Sequence, residues 1–364
     1  MSLTTVDGSL ISSGAITLTT QVTGTLPEAN GGTGTTVGYC GFKNRIINGG
    51  MVIDQRNAGA SVTPTDGSYT LDRWRASLSV AGKYSIQQNA GAVTPPAGFT
   101  NYLGITSLSA YTVGAGDYFV LSQLVEGTNI ADFGWGTASA ATVTLSFWVL
   151  SSLTGTFGGS LRNNAANRNY PFSYTISAAN TWEQKSITIA GDTSGTWLTT
   201  TGIGIRIGFG LGLGSTYSGA AGAWSAANYI SVTGATSVVG TNGATFYITG
   251  VQLEKGSTAT SFDYRPYGTE LALCQRYYEI GGNSNSVQFC STVSINTTYF
   301  TTIPFIVTKR TAPTVVNTNV NIQAFPTTAS TAMTSATEIR NNRTSNGASA
   351  NGYFGDSWTA SAEL

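Results

Sequence analysis

The chain has 364 residues, of which 41% are hydrophobic and only 9% are charged, with 17 basic residues balancing 17 acidic ones. Such a neutral surface argues against a nucleic-acid partner, whose phosphates must be neutralised, and against a membrane partner held by charge. The sequence contains no histidine, which excludes histidine-based acid–base catalysis, serine–histidine triads and imidazole ligands for zinc.

The three cysteines, Cys40, Cys274 and Cys290, show no CxxC spacing, and an odd number leaves no closed disulfide framework. We interpret them as reduced thiols of a chain that folds in a cytoplasm. The opening MSLTTVDGSL lacks the basic start and apolar core of a signal peptide, and no apolar run reaches the length of a membrane span. We therefore expect no membrane insertion, and we expect release by cell lysis.

Residues 1–40 are polar and β-prone, and they contain the sharp turn LPEANGGTG. Ile16, Leu18 and Val22 are too few to form a core within one chain. Such a segment is either a disordered tail or a segment that copies of itself order by winding together. We predict a fibrous attachment segment that ends at this turn, where a globular head begins.

Residues 41–268 contain a long series of predicted strands with turn signals between them. ATVTLSFWVLSS alternates between apolar and other residues, and GIGIRIGFGLGLG places its apolar residues on one face and glycines with Arg206 on the other. A glycine face predicts the close approach of another backbone, a packed aromatic ring or a flat ligand. ATFYITGVQLEKG closes the series, with a bulge predicted at Gly250. LDRW predicts Trp74 in the core, with Asp72 and Arg73 paired nearby. Antiparallel strands with one apolar face each predict a two-sheet sandwich, a jelly roll.

The period changes at RPYGTELALCQRYYEI, which predicts one connecting helix with Thr269 as its N-cap and Glu270 in its first turn. The residues after the helix return to a β pattern. We therefore predict that residues 269–364 form the helix and a small C-terminal β tip. This segment would be marginally stable alone, so association of copies would help it. The fold class is all-β throughout.

Several stretches resemble bacteriophage tail-fibre proteins over roughly residues 26 to 280. LPEANGGTG resembles the turn between shaft and head, although the family pattern often has valine where Glu28 stands. NRIINGGMVIDQRNAGASVT, YTLDRWRA, VTLSFWVLSSLTGTFGGSLRN, YPFSYTISAANTWEQKSITIAG and FYITGVQLEKGSTATSFDYRPYGTELALCQRYYE resemble the head module. The last 84 residues match only loosely, through RTAPTVV and SAEL.

This resemblance implies a carbohydrate-binding jelly roll in a homotrimeric receptor-binding fibre of the virion. Residues 1–40 would seat on another tail or virion protein, and the far end would meet a bacterial surface glycan. Sugars are bound by aromatic faces and by planar polar side chains, so aromatic residues in polar loops are the candidates. The candidates in the head are Asp132, Trp135, Arg168, Tyr170, Arg206, Tyr217 and Trp224, and the loop LRNNAANRNYPF also offers Arg162, Asn163 and Asn164. Those near the C-terminus are Asn341, Asn342, Arg343, Tyr353 and Trp358.

Other interpretations stay open at this point. A tryptophan in a glycine-rich loop is often a lid on a sandwich edge, Arg206 could pair with a carboxylate of a neighbouring subunit, and the C-terminal run could be a trimer contact. A structural virion spacer, collar or head fibre would share the same composition. Glycan cleavage needs two carboxylates, and the candidate acids are scattered, so we expect no enzyme. These acids are Asp132, Glu183, Asp192 and Glu254. A structural calcium site, involving Glu254 or Asp263, is a further expectation.

Overall fold

The computed structural model describes residues 42–282, 288–325 and 331–364, and residues 44–364 form one compact unit. The predicted attachment segment, with the LPEANGGTG turn and Cys40, lies outside the described residues.

Short 3-10 helices lie at Ala90–Ala92, Gly127–Asn129, Ala131–Phe133 and Ser215–Tyr217. The strands before the α-helix are β1 (Tyr69–Leu71), β2 (Trp74–Leu78), β3 (Tyr84–Gln88), β4 (Leu103–Ser107), β5 (Tyr118–Glu126), β6 (Val143–Ser151), β7 (Gly155–Arg162), β8 (Asn169–Ile176), β9 (Glu183–Ile189), β10 (Ile203–Leu213), β11 (Ser218–Gly219), β12 (Ser231–Val232) and β13 (Thr245–Lys255).

These strands form the predicted sandwich. One sheet has the order β1-β2-β5-β10-β7-β8, the other has the order β3-β4-β13-β6-β9, and every pairing in both is antiparallel. Because side chains alternate along each strand, every strand contributes its apolar face to the space between the sheets. The large buried residues there include Trp74, Phe119, Phe147, Phe157, Phe172, Phe209 and Phe246. The predicted all-β jelly roll is confirmed.

The glycine face of β10 lies close to another part of the chain, which is one of the reasons that the sequence predicts for it. Ile205, Ile207 and Phe209 point into the core. On the opposite face, a Cβ at Gly210 would lie 2.7 Å from Cδ1 of Leu213 and 3.0 Å from Oγ of Ser231 in β12. β12 therefore lies directly on Gly210, while a Cβ at Gly204 would lie 2.7 Å from the backbone Cα of Gly127. Of the three predicted causes, close approach of another part of the chain is the one observed.

The predicted bulge at Gly250 is also confirmed. The register between β13 and β6 shifts between Thr249 and Gln252, and Gly250 has φ of 61°. The ring of Phe99 would lie 2.6 Å from a Cβ at this position. Only glycine fits this position. Other residues rarely adopt a positive φ, and their Cβ would clash with the ring of Phe99.

The helix α1 (Tyr267–Gln275) begins three residues earlier than an N-cap at Thr269 predicts, so Thr269 lies inside it and is not the cap. Pro266 takes the capping position, and its carbonyl accepts hydrogen bonds from the N–H groups of Thr269 and Glu270. The ring of proline fixes φ near the value that a helix start requires, which explains the earlier beginning. Cys274, near the C-terminal end of α1, packs with Tyr277, Ile47 and Ile53. The helix is therefore held against the segment that precedes β1.

The chain beyond the helix forms β strands, as predicted. The strands are β14 (Tyr278–Gly281), β15 (Phe289–Val293), β16 (Thr298–Pro304), β17 (Thr314–Gln323), β18 (Thr331–Thr334), β19 (Glu338–Thr344) and β20 (Ser349–Ser361). β20 pairs with β14, β15 and β17, and β19 pairs with β16 and β18. Phe305, Ile339 and Trp358 pack together within this C-terminal region. The ammonium group of Lys309 forms a buried ion pair with Glu279.

Asp72 and Arg73 do not pair with each other, contrary to the sequence-based prediction. The carboxylate of Asp72 accepts hydrogen bonds from the backbone N–H and the Nε2 of Gln55, at 2.7 and 2.8 Å. Arg73 instead pairs with Glu363. The two side chains diverge because they occupy the tight turn between β1 and β2, where Arg73 has φ of 70°.

We expect the stability contribution of Asp72 to fall as the pH rises. Burial raises the pKa of Asp72 from 3.8 to about 6, against the lowering effects of Arg56 and Gln55. Between pH 3.8 and about 6, Asp72 is protonated in the folded state and ionised in the unfolded state. The free energy of unfolding therefore falls as the pH rises through this interval. Asp72→Asn cannot ionise. From about pH 4 to pH 7, urea unfolding of wild type and variant should show the variant gaining about 1–3 kcal/mol relative to wild type.

The matched control for this experiment is Asp117→Asn. Hydrogen bonds from the Gly114 N–H, Tyr111 and Ser79 lower the pKa of Asp117, so this variant should lose stability relative to wild type as the pH rises. A difference between Asp72→Asn and wild type that stays constant with pH would show that Asp72 is ionised throughout.

Candidate functional site

The outer face of the six-stranded sheet carries polar side chains where four strands lie side by side. The alternation that buries Trp74 and Ala76 of β2 turns Arg75 and Ser77 outward. The neighbouring strands in order are β5, β10 and β7. Side chains from distant parts of the chain therefore meet on this face.

The register defines which of these residues are neighbours. Ser77 lies opposite Val120 of β5, and Val120 lies opposite Gly210 of β10. Further along β10, Arg206 lies directly opposite Arg162 of β7. Directly opposite residues in an antiparallel pair have Cβ atoms about 4.5–5.5 Å apart, so the two arginine side chains start as immediate neighbours.

A cleft of about 240 Å³ opens on this face, and we call it the arginine cleft. Strands β2, β5 and β7 form its floor, and the segments before β1 and between β10 and β12 form its walls. The rings of Tyr118 and Tyr217 meet edge to face at its side, with centroids 5.5 Å apart. The lining residues are Asp66, Arg75, Ser77, Tyr118, Val120, Arg162, Tyr217, Asn228 and Ile230.

The positive charges of the cleft have neutral hydrogen-bond partners. Nη1 of Arg162 donates to Oδ1 of Asn228 at 2.8 Å, and Nη1 of Arg75 donates to Oγ of Ser77 at 2.6 Å. Arg206, beside the cleft, donates from Nη2 to an amide oxygen at 3.1 Å. In the described ranges none of these three arginines forms an ion pair with the chain.

These charges are also partly removed from water. Burial, together with the positive charges of Arg206 and Arg75, lowers the pKa of Arg162 to about 10. Burial and Arg75 lower the pKa of Arg206 in the same way. Nε of Arg206 is buried without a hydrogen-bond partner among the described residues. The cleft is thus a desolvated, positively charged surface beside two aromatic rings.

Of the residues that the sequence predicts for ligand binding, Tyr217 and Arg162 line the cleft and Arg206 lies beside it. Sequence reasoning missed Arg75, Tyr118 and Asn228. The alternation around the core residue Trp74 could have placed Arg75 on the outer face. Its distance from Tyr118 and Arg162 depends on the strand order, for which the sequence carries no short-range signal.

Trp135, Tyr170 and Trp224 lie together at an edge of the sandwich and not in the cleft. They pack with Trp197, and Trp224 contacts the other three rings at centroid distances of 5.3–5.4 Å. The indole N–H of Trp135 donates to the backbone at Ala141, and Trp135 is only 6% exposed. This cluster covers the core edge, which agrees with the lid interpretation and leaves no face of Trp135 for a sugar.

The C-terminal candidates differ in exposure, because successive side chains of a strand point to opposite faces of the sheet. Asn341 and Arg343 of β19 and Trp358 of β20 are buried, and Arg343 donates to Asp356 at 2.8 Å. The sequence-based prediction that these three contact a glycan is therefore replaced by a packing role. Asn342 and Tyr353 are partly exposed.

The carboxylates considered for catalysis or calcium binding are bonded within the chain. In the described residues, no group of three or more Asp, Glu or Cys side chains is close enough to hold a metal ion. The calcium expectation stays a prediction. The donors closest to each acid are Arg45 for Asp132 at 2.9 Å, Lys185 for Glu183 at 2.5 Å, Arg168 for Asp192 at 2.5 Å, Thr260 for Glu254 at 2.6 Å and the Asn44 N–H for Asp263 at 3.2 Å.

No family model and no curated protein matches this chain. Among solved structures, the chain is similar to the enzymatically active domain of bacteriophage CBA120 tailspike protein 4, with 13% identity and a TM-score of 0.32, over 59% of this chain and 22% of that one. It is also similar to a family 61 carbohydrate-binding module solved with β-1,4-galactotriose, with 12% identity and a TM-score of 0.29, over 58% and 99% of the two chains.

A family 11 carbohydrate-binding module from Clostridium thermocellum is a further similar structure, with 12% identity and a TM-score of 0.28, over 55% of this chain and 98% of that one. Because the identities and TM-scores are all low, these matches assign no function to the chain. Within the described ranges, no helix is both long enough and apolar enough to cross a membrane.

Proposed function

We propose that the protein binds a glycan through the arginine cleft. The observation that carries this proposal is the juxtaposition of two tyrosine rings with guanidinium and amide groups in one groove. The C–H face of a sugar packs on aromatic rings. Sugar hydroxyls accept hydrogen bonds from arginine, and they both donate to and accept from the side-chain amide of asparagine. The cleft offers both kinds of contact, with Tyr118 and Arg162 on strands and Tyr217 and Asn228 on the segment between β10 and β12.

We further propose that this binding serves adhesion to a bacterial surface, with the protein as a homotrimeric receptor-binding subunit of a phage tail fibre. The support is the resemblance of LPEANGGTG and the head stretches to such fibres. Residues 1–40 would attach to another virion protein, and the sugar would be bound without cleavage. Three copies in each fibre would convert weak binding at each cleft into firm attachment.

Light scattering of the purified protein, followed by binding of the same preparation to whole bacterial cells, tests this proposal. A trimer that binds cells and blocks phage adsorption supports it. A trimer that binds no cells in a broad panel favours the structural virion spacer. A stable monomer contradicts the fibre and leaves a free carbohydrate-binding module.

Tyr217→Ala is expected to weaken binding to cells or to a glycan array about tenfold, because it removes one aromatic wall of the cleft. Tyr217→Phe keeps the ring and should retain most of the affinity. The matched control is Tyr267→Ala, since Tyr267 is 64% exposed and lies on α1, outside the cleft. Equal binding by all three variants would place the site elsewhere.

A further inference from the structure

The arginine cleft indicates the charge of its ligand. Arg162 and Arg206 lie directly opposite each other on adjacent strands, and like charges in this position destabilise a sheet. Arg75 lies close enough to affect the pKa of both. The fold therefore concentrates three positive charges in a chain that has only 17 basic residues.

In the described ranges no carboxylate, that of Asp66 included, forms an ion pair with these guanidinium groups. Side-chain amides and a hydroxyl accept the hydrogen bonds that these guanidinium groups donate, and such groups orient an arginine without compensating its charge. The one acid of the lining, Asp66, accepts a hydrogen bond from the Leu78 N–H at 2.9 Å. Desolvated charges without a counter-ion are costly to a fold. A bound anion would offset this cost.

The buried Nε of Arg206 supports the same conclusion, because an unsatisfied donor in the interior also costs stability. Guanidinium groups bind carboxylates and phosphates through paired hydrogen bonds, more strongly than they bind neutral acceptors. The tyrosine rings beside them suit a sugar ring. Both features occur in one groove.

We propose that the ligand of the cleft is an acidic saccharide, whose carboxylate or phosphate group binds between Arg162, Arg206 and Arg75 while its sugar ring packs against Tyr217. This inference rests on the proposed glycan-binding function and names the chemical class of the glycan. It differs from binding of neutral sugars, whose hydroxyl groups would accept hydrogen bonds from the arginines but would not offset their positive charge.

The test measures binding of the full chain to polygalacturonate, to the same polymer after reduction of its carboxyl groups, and to a poly(glycerol phosphate). We expect binding to at least one polyanion, weaker as sodium chloride is added, and little binding to the reduced polymer. The polyanion that binds distinguishes a carboxylate from a phosphate ligand. Arg162→Gln and Arg206→Gln should each weaken binding about tenfold or more. Arg340→Gln, at an exposed position on β19, removes the same charge and should change nothing.

Three results would overturn the inference. The first is equal binding of polygalacturonate and its reduced form, or equal losses in Arg162→Gln and Arg340→Gln. The second is binding to neutral glycans or cells but to neither polyanion, which leaves the proposed function intact. The third is a smaller oligomer in the cleft variants with unchanged polymer binding, which would mean that the arginines pair with a carboxylate of a second copy. Absence of binding to every polymer, glycan and cell would remove the proposed function itself.

Discussion

Arg73→Met is expected to lower the free energy of unfolding by about 3–5 kcal/mol, because it removes the more buried of the two arginines that pair with the buried carboxylate of Glu363 in the described ranges. Arg73 is 1% exposed, and its guanidinium group pairs with Glu363, donates to the Leu124 carbonyl and stacks on the Tyr277 ring at 3.6 Å. It therefore joins the β1–β2 turn, β5, the segment after α1 and the C-terminal residues. Urea unfolding at neutral pH measures the loss.

The double variant Arg73→Met with Glu363→Gln separates the charge from the packing. Removing both charges should recover part of the loss, since the cost lies mainly in the uncompensated charge. A single variant that loses less than about 1 kcal/mol would show that the remaining ion pair with Arg56, at 2.7 Å, is sufficient for Glu363.

Trp358→Ala is expected to destabilise the C-terminal sheets by about 3–5 kcal/mol, the usual cost of deleting a buried aromatic side chain. The indole packs edge to face on Phe305, with centroids 5.6 Å apart, and lies against Ile339 and Ala360. Gly281 of β14 has no side chain where a Cβ would come within 2.0 Å of the indole. Thermal unfolding followed by tryptophan fluorescence and circular dichroism would detect the loss.

Phe300→Ala is the matched control for Trp358→Ala. Phe300 is also an aromatic residue on a strand of this region, but it is 55% exposed, so its removal should cost well under 1 kcal/mol. If Trp358→Ala abolished binding to cells without any loss of stability, the original prediction of a glycan contact at Trp358 would return.

The sequence predicted the fold because its local patterns were strong. The alternation in β6 and β10 fixed which side chains entered the core, and Gly250 marked the bulge. The predicted start of α1 was three residues too late because Pro266, interpreted as the end of the extended chain, is itself the N-terminal cap. Patterns within ten or so residues were therefore sufficient for the elements and nearly sufficient for their ends.

The candidate site depended on longer-range information. Trp135 and Trp358 lie in segments rich in glycine, serine or asparagine, yet both are buried, because contacts with distant aromatic rings outweigh a polar local composition. Arg206 and Tyr217 were recognised by their unusual local setting. Arg75 and Tyr118 were not, because only the pairing of β2, β5, β10 and β7 brings them into one cleft.

The strand order also has a kinetic consequence. The side chain of Asn44 donates to the Val251 carbonyl across 207 residues, and β4 pairs with β13 at a separation of well over a hundred. Contacts of such long sequence separation require costly loop closure before they add stability, and proteins built from them fold slowly. One edge of β4 therefore stays unpaired until β13 is available, and refolding at high protein concentration should compete with aggregation.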